Sequence, residues 1–250
     1  MHDEVERAIG VMWRRYGEPI SLADLADAAI LSRFYFSRVF RSLTGTSPGR
    51  FLSAIRIHQA KGLLLDSSMS VTDISYQVGY NSPGTFTTRF TRSVGITPTQ
   101  YRDPAGAGIP APPGTARLGE PAVRGALQLP VTATPLRVYV GAFPGPVPEG
   151  LPASCDVLDS GRRRFSLHGL QDGAWYIHAA AVEYVDLHPS PSKRRPLFVS
   201  SGPEVTVRSG RSVEADLVLH PMSVFDLPIL LALPELDSRE QPPVLASVGC

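Results

Sequence analysis

Ser21-Leu22-Ala23-Asp24-Leu25-Ala26 returns later in the chain as Ser70-Val71-Thr72-Asp73-Ile74-Ser75, with Ser and Asp displaced by 49 positions. Phe36 and Phe40 return as Phe86 and Phe90, displaced by 50. Gly45-Thr46-Ser47-Pro48 returns as Gly95-Ile96-Thr97-Pro98, and Phe51 matches Tyr101, again at 50. Self-similarity at one period means that a single supersecondary unit is used twice, with a one-residue difference in its turn.

Each copy opens on a serine followed three residues later by an aspartate, a pair that satisfies free amides at a helix start. Leu22, Leu25, Ala26 and Ala29 fall on one face of a short helix, as do Val71, Ile74 and Val78. A turn follows, with Gly79 in the second copy. Ser32 and Ser82 are then placed to cap a second helix, with Pro83 at its first position. That helix buries Phe36, Phe40 and Leu43, or Phe86, Phe90 and Val94, and ends at Gly45 or Gly95. Short helix, turn, amphipathic helix is the grammar of a helix-turn-helix.

Outside the repeat the composition changes. Four prolines fall in residues 1–103 and twenty in the remaining 147. Proline breaks helices, so the first part can be helical and the second mostly cannot. Pro104 to Pro121 holds five Pro and four Gly in 18 residues and reads as a linker, 104–121, without a core of its own. Beyond it, Val123–Leu129, Leu136–Gly141, Arg164–Leu167, Ala174–Val185, Leu197–Ser200, Val205–Val207 and Val213–Leu219 are short, rich in β-branched or aromatic residues, and separated by Gly, Pro and Asp. The expected organisation is multi-domain α plus β. An all-α tandem helix-turn-helix domain over 1–103 precedes an all-β sandwich of about seven strands over 122–222, with a tail over 223–250.

Residues 3–103 resemble the DNA-binding domain of AraC/XylS-type transcriptional regulators, in which a long helix joins two helix-turn-helix units. Ser53 through Leu64 looks like that helix. Val71 through Gly79-Tyr80, Phe86, Phe90, Gly95-Ile96-Thr97-Pro98 and Tyr101-Arg102 look like the second-unit signature. The resemblance implies double-stranded DNA and RNA polymerase as partners, and a regulator that makes no covalent chemistry. Residues 122–222 resemble a prealbumin-like sandwich of the carboxypeptidase-regulatory type, carried by Arg164 through Ala179 with its Gly169-Leu170-Gln171-Asp172-Gly173 turn, by Val205-Thr206-Val207 and by Asp216 through Leu219.

A recognition helix seats one face on its domain and offers donors on the other. In the first copy the outward residues are Arg33, Phe34, Ser37, Arg38 and Arg41. Arginine suits that face because its fork bonds two acceptors on guanine. By resemblance Phe34, Ser37 and Arg38 reach the major groove; Arg33 and Arg41 suit phosphate or solvent. In the second copy the outward residues are Ser82, Gly84, Thr85, Thr88, Arg89 and Arg92. Thr88 and Gly84 stand where relatives often carry a basic and a larger polar residue, so the second unit is expected to read fewer bases. Arg89 either enters the groove or turns away. Tyr80 is expected to pack, and Arg50, Arg56, Lys61 and Arg102 to clamp the DNA backbone or face solvent. Ser21 to Arg102 carries nine basic and four acidic residues, which favours a polyanion.

The chain is otherwise balanced, with 24 basic and 23 acidic residues among 250 and a net charge of +1. It holds no apolar run of about 18 residues, and Met1-His2-Asp3-Glu4-Val5 lacks the pattern of a secretory signal. Cys155 and Cys250 are too few for a disulfide framework or a four-thiolate zinc site. A cytoplasmic location, with no membrane contact, is expected. No nucleophile–base set or metal-ligand spacing appears, so neither catalytic residues, metal nor cofactors are expected. His168, His178 and His188 recur every ten residues but fall on different strands and turns. Cys155 reads as an idle thiol. Arg162-Arg163-Arg164 and Lys193-Arg194-Arg195 read as solvated turns, with flanking phosphates or an acidic partner as the sharper alternative. Trp175 and Tyr176 must face opposite ways, one into the core and one toward a surface that a ligand can use. The leading expectation is a sequence-specific transcription regulator that reads two adjacent major grooves, with a small-molecule or protein effector at the sandwich. The alternative is an interaction or scaffold protein whose sandwich docks a partner while the helices tether it to DNA.

Overall fold

A computed structural model describes residues 1–103, 122–132, 135–159, 161–183, 196–208 and 211–231. The linker, His188, Lys193-Arg194-Arg195 and Cys250 lie outside them. Seven helices come first: α1 (His2–Arg15), α2 (Leu22–Ala28), α3 (Arg33–Thr44), α4 (Pro48–Asp66), α5 (Val71–Gln77), α6 (Pro83–Val94) and α7 (Pro98–Arg102). The caps explain the boundaries. Ser21 and Asp24 form a reciprocal capping box at the start of α2. Ser70 and Ser82 accept from the amides of Asp73 and Thr85. Ser32 departs from expectation: it occupies the cap position of α3 but its side chain bonds no cap amide. Gly45 and Gly95 end α3 and α6 with left-handed backbone, φ 71° and 97°.

The long α4 is the spine between two cores. Phe51, Leu52 and Ile55 join α1, α2 and α3 through Val5, Ile9, Met12, Leu25 and Phe36. Ala54, Ile57 and Leu64 join α5, α6 and α7 through Ile74, Phe86, Phe90 and Tyr101. A helix buried on both sides shows no single apolar stripe, which is why its sequence looks less amphipathic than that of α3 or α6.

Two sheets follow. The strands are β1 (Val123–Gln128), β2 (Leu136–Phe143), β3 (Ser154–Leu158), β4 (Arg164–Leu167), β5 (Gly173–Glu183), β6 (Phe198–Val207), β7 (Val213–Glu214), β8 (Leu217–Val218) and β9 (His220–Pro221). One sheet runs β4-β1-β7 with β8 also on β1; the other runs β3-β2-β5-β6-β9. Val123, Leu127, Phe165 and Leu217 of the first meet Val140, Ile177, Ala179 and Val205 of the second in a shared core. The strand expectations need three corrections. Ser154-Cys155-Asp156-Val157-Leu158 is a strand that the sequence reading missed, because Asp156 breaks its apolar pattern. Leu197–Ser200 and Val205–Val207 belong to one strand, β6. It is interrupted only by a bulge between the Tyr176 and His178 pairings, where Gly202 and Pro203 face Ile177. A Cβ on Gly202 would fall 2.2 Å from the Ile177 carbonyl, and proline fits a bulge where no ladder amide is required. Val213–Leu219 splits into β7 and β8.

Residues 223–231, expected as the start of a tail, form a packed strap between the helices and the outer face of the second sheet. Phe225 and Leu227 pack on the first helical core, and buried Leu230 belongs to the second. Ile229 and Leu231 turn the other way, onto Tyr139 and Val182. Over 229–231 this is the two-residue alternation of extended chain. Lys61 seals the arrangement. It is 5% exposed, and its ammonium donates to the carbonyls of Ile229 (3.3 Å) and Leu231 (2.8 Å) and stands over the Tyr101 ring.

Candidate nucleic-acid interface

On α3 the apolar positions Phe36, Val39 and Phe40 are buried, and the opposite face is open. Arg33, Phe34, Arg38 and Arg41 are exposed, and Phe34 is 81% exposed. The Arg38 guanidinium lies 5.1 Å from the centre of the Tyr35 ring, which props it outward. Ser37 is half-buried, and its hydroxyl donates to the Arg33 carbonyl at 3.0 Å.

The second copy is different. Gly84, Thr85, Thr88 and Arg92 are exposed. Ser82 is held in its cap and its hydroxyl donates to Thr85 Oγ1 at 2.9 Å. Arg89 turns back toward the protein. Its Nε donates to Ser53 Oγ (3.1 Å) and its Nη2 to Glu149 Oε1 (2.9 Å). Arg92 Nε lies 3.5 Å from the other oxygen of the same carboxylate. Glu149 sits in the loop between β2 and β3, and its side chain is 14% exposed. The next residue, Gly150, donates its amide to the Ser93 carbonyl at 3.0 Å. Leu151 then covers Gly95 so closely that a Cβ there would fall 2.9 Å from the Leu151 side chain. The β2–β3 loop therefore sits on the carboxyl-terminal half of α6, where the one Glu149 carboxylate is shared by Arg89 and Arg92.

Two of the expected backbone clamps are internal instead. Arg56 donates to the carbonyls of Tyr16 and Glu18, both at 2.8 Å, and lies over Tyr80. Burial lowers the pKa of its guanidinium. It ties α4 to the α1–α2 connection. Lys61 lies under the strap, as described above. Tyr80 packs against Phe86, as expected, and its hydroxyl lies 3.3 Å from Ser53 Oγ. Arg50 is exposed. Arg102 is half-buried, with Nε and Nη2 fully covered.

A family model described as a helix-turn-helix domain matches residues 25–104. Over these residues the chain is similar to helix-turn-helix domains. Over 102 residues this chain is 30% identical to the lactose operon transcription activator of Staphylococcus xylosus, covering 41% of this chain and 37% of that protein. It is 41% identical over 81 residues to a helix-turn-helix-type transcriptional regulator of Haemophilus influenzae, covering 32% and 27%. Among solved structures it is similar to the DNA-binding domain of AdpA in complex with a target DNA: 33% identity, 41% of this chain, 94% of that one, TM-score 0.39. The chain thus spans about a third of the length of the curated relatives it matches.

In the β region His168 and His178 are buried, with His168 Nδ1 and His178 Nε2 unpartnered, while Cys155, Arg162, Arg164, Trp175 and Tyr176 have partners or are buried. Cys155 is buried in β3, and burial, with Asp156 beside it, pushes its thiol up to about 11, so the nucleophilic thiolate is suppressed. Arg162 pairs with Asp156, and Arg164 lies 3.7 Å from Glu214. No group of His, Cys, Asp and Glu suited to a metal ion occurs among the described residues. No described helix is long and apolar enough to cross a membrane. Trp175 packs on the core and donates to the Gln171 carbonyl at 2.9 Å, whereas Tyr176 faces outward. Glu149, Ser53 and the strap residues are the participants that sequence reasoning missed. Glu149 lies 60 positions from Arg89 in a loop of unremarkable composition, so no local pattern pointed to it.

Proposed function

We propose that this chain is a cytoplasmic, sequence-specific transcription regulator whose two helix-turn-helix units read adjacent major grooves of duplex DNA. The observation that carries the reading is the exposed face of α3. Arg33, Phe34, Arg38 and Arg41 stand in solvent on a helix whose other face is locked into a core by Phe36 and Phe40. Arg38 is the base reader, Phe34 gives apolar contact in the groove, and Arg33 and Arg41 hold phosphates. In the second unit Gly84, Thr85 and Thr88 leave a short-chained face that approaches DNA closely and reads little. Arg89 and Arg92 serve phosphates when released from Glu149. The prealbumin-like sandwich is the regulatory module, and RNA polymerase is the further partner.

The test is selection of bound sequences from a random duplex pool, with the native chain and with Arg38→Ala. Arg38→Ala is expected to cost about 1–3 kcal/mol on the preferred site and to relax one or two base pairs in a single half-site. An unchanged motif would remove Arg38 from the reading face. Half-sites are expected about 10–10.5 base pairs apart, since both helices belong to one chain and must enter the same face of the duplex.

A further inference from the structure

Both helix-turn-helix units are mounted on α4, and each keeps its principal helix contacts within itself and with that helix. Where the units meet directly, backbone lies on backbone. The α1–α2 connection of the first unit runs against the end of α5 and the turn after it. A Cβ on Gly17 would fall 2.6 Å from the Gln77 carbonyl, and one on Gly79 would fall 2.9 Å from the Tyr16 carbonyl. Gly79 has φ 85°, which glycine adopts freely. Tyr16 packs on both helical cores.

Arg56 of α4 fills this seam. Its Nε donates to the Tyr16 carbonyl and its Nη2 to the Glu18 carbonyl, both at 2.8 Å, and those acceptors belong to the first unit. Toward the second unit its guanidinium stands over the Tyr80 ring, 6.0 Å from the centre, and its Nη2 would lie 2.9 Å from a Cβ on Gly79. The Tyr80 hydroxyl lies 3.3 Å from Ser53 Oγ, which accepts from Arg89 Nε of α6 at 3.1 Å. A polar path therefore runs from the α1–α2 connection through Arg56, Tyr80 and Ser53 to α6. Arginine suits the middle of that path because its planar fork bonds two carbonyls while its face lies on the ring. A lysine ammonium has the charge but not that geometry.

We propose that Arg56 is a positioning residue for DNA recognition: it braces the two units against each other, so that the chain accepts one spacing between half-sites and rejects its neighbours. The proposal rests on the two-groove reading given above. One base pair added between half-sites rotates them by about 34–36° and separates them by about 3.4 Å, given about 10–10.5 base pairs and 34–36 Å per turn. A rigid pair of helices meets that change by losing one half-site or by deforming the duplex, whereas a pair that can adjust meets it at little cost. A guanidinium committed to two carbonyls is not free for a phosphate, so Arg56 acts on spacing and not on the salt-dependent part of affinity.

Arg56→Lys and Arg56→Met are compared with the native full chain on a duplex that the native chain selects, on versions with one base pair inserted or removed between half-sites, and on each half-site alone. The native chain is expected to lose at least roughly tenfold on the respaced duplexes, as forced deformation implies. Both variants are expected to lose less than about threefold there, with single half-site affinity and salt slope unchanged. A native-sized spacing penalty in either variant, weaker binding to single half-sites, or a salt slope lower by about 0.9, the mark of one lost phosphate contact, would overturn the proposal. Amide dipolar couplings of the free chain give a readout that needs no DNA. Those of α1–α3 and α5–α7 are expected to fit one relative orientation in the native chain and a different or averaged one in Arg56→Lys. Native couplings that demand two independent orientations would overturn the brace even where neither variant folds, and an orientation unchanged in Arg56→Lys would do the same. A native chain that binds no duplex, or binds every spacing alike, refutes the two-groove reading and the spacing claim with it; the couplings then judge the brace alone.

Discussion

Glu149→Gln is expected to tighten DNA binding, although the residue lies in the β region. In the structure one carboxylate serves two arginines of α6, Arg89 at 2.9 Å and Arg92 at 3.5 Å. Glutamine keeps the shape and an oxygen for Arg89 but removes the charge. The expected gain follows from counterion release: each phosphate neutralised adds about 0.9 to the slope of log K against log salt, which near 0.15 M salt is worth about 1 kcal/mol, or roughly fivefold. One arginine released gives that amount, and two give about its square. The assay is a titration of a selected duplex at several salt concentrations, followed by fluorescence anisotropy. Glu214→Gln is the control: Glu214 pairs with Arg124 at 2.8 Å on β7, away from α6. The expected signature is a tighter complex with a steeper salt slope for Glu149→Gln and no change for Glu214→Gln. Weaker binding at an unchanged melting temperature would refute the reasoning, because it would mean that Glu149 holds Arg89 in its DNA-contacting pose. Unchanged binding and slope would show that this end of α6 never meets phosphate.

Three further outcomes follow from particular residues. Ile30 occupies a left-handed backbone position, φ 59°, where the second copy has Gly79 at φ 85°, and its side chain is 80% exposed. Left-handed backbone costs a non-glycine residue about 1–2 kcal/mol and glycine loses more chain entropy, so Ile30→Gly is expected to stabilise by roughly 0.5–1 kcal/mol in urea unfolding; destabilisation would contradict this. Leu230→Ala should cost about 2–4 kcal/mol and lower the melting transition of the helical region as well as that of the sheets, because Leu230 is 3% exposed in the second helical core. A transition lowered in the sheets alone would show that the strap is not part of that core. His178 sets a pH dependence. Its folded pKa, about 4, lies below the ordinary value of 6.5, so the unfolded chain binds the extra proton and stability falls as pH drops through that window, by up to about 3 kcal/mol in all. His178→Gln should flatten the slope of unfolding free energy between about pH 6.5 and 4, and an unaltered slope would assign the effect to other groups.

Much of the helical part was legible because its signals are local. A cap, an apolar period and a closing glycine lie within one helix, and the repeat states each of them twice. Where local rules were broken, the reading failed for identifiable reasons. Lys61 and Arg56 looked like surface cations because charge is normally solvated; each is instead held by backbone carbonyls from distant segments, at positions 229 and 231 or 16 and 18. Such acceptors carry no side-chain signature. Strand β3 was missed because Asp156 interrupts it, and Asp156 is accommodated by Arg162 and by the Ser166 amide at 2.9 Å, neither predictable from composition. The strap was read as part of the tail because it lies beyond the last expected strand and carries no helical or strand period of its own; its contacts are with helices and sheet distant in sequence.

The same contacts make the two repeats unequal in a way that their sequences alone did not require. The first repeat presents Arg33, Arg38 and Arg41 unencumbered on α3, and its core is completed from outside by Phe225 and Leu227. The second repeat is clasped on one side by Glu149, Gly150 and Leu151 and on the other by Leu230 and the carbonyls that hold Lys61. Every one of those contacts comes from the β region or its extension. A change in how the sheets sit on the helices therefore acts first on α6, through three consecutive loop residues. It acts on α3 through Phe225 and Leu227, which pack on the core that seats the helix, and through Leu43-Thr44-Gly45, which wall a cavity shared with β5, β6 and the strap. Base reading assigned to α3 and regulated phosphate holding assigned to α6 is the division of labour that this geometry supports. It predicts that substitutions in the β2–β3 loop alter affinity and salt dependence while leaving the selected base preferences of the Arg38 half-site intact.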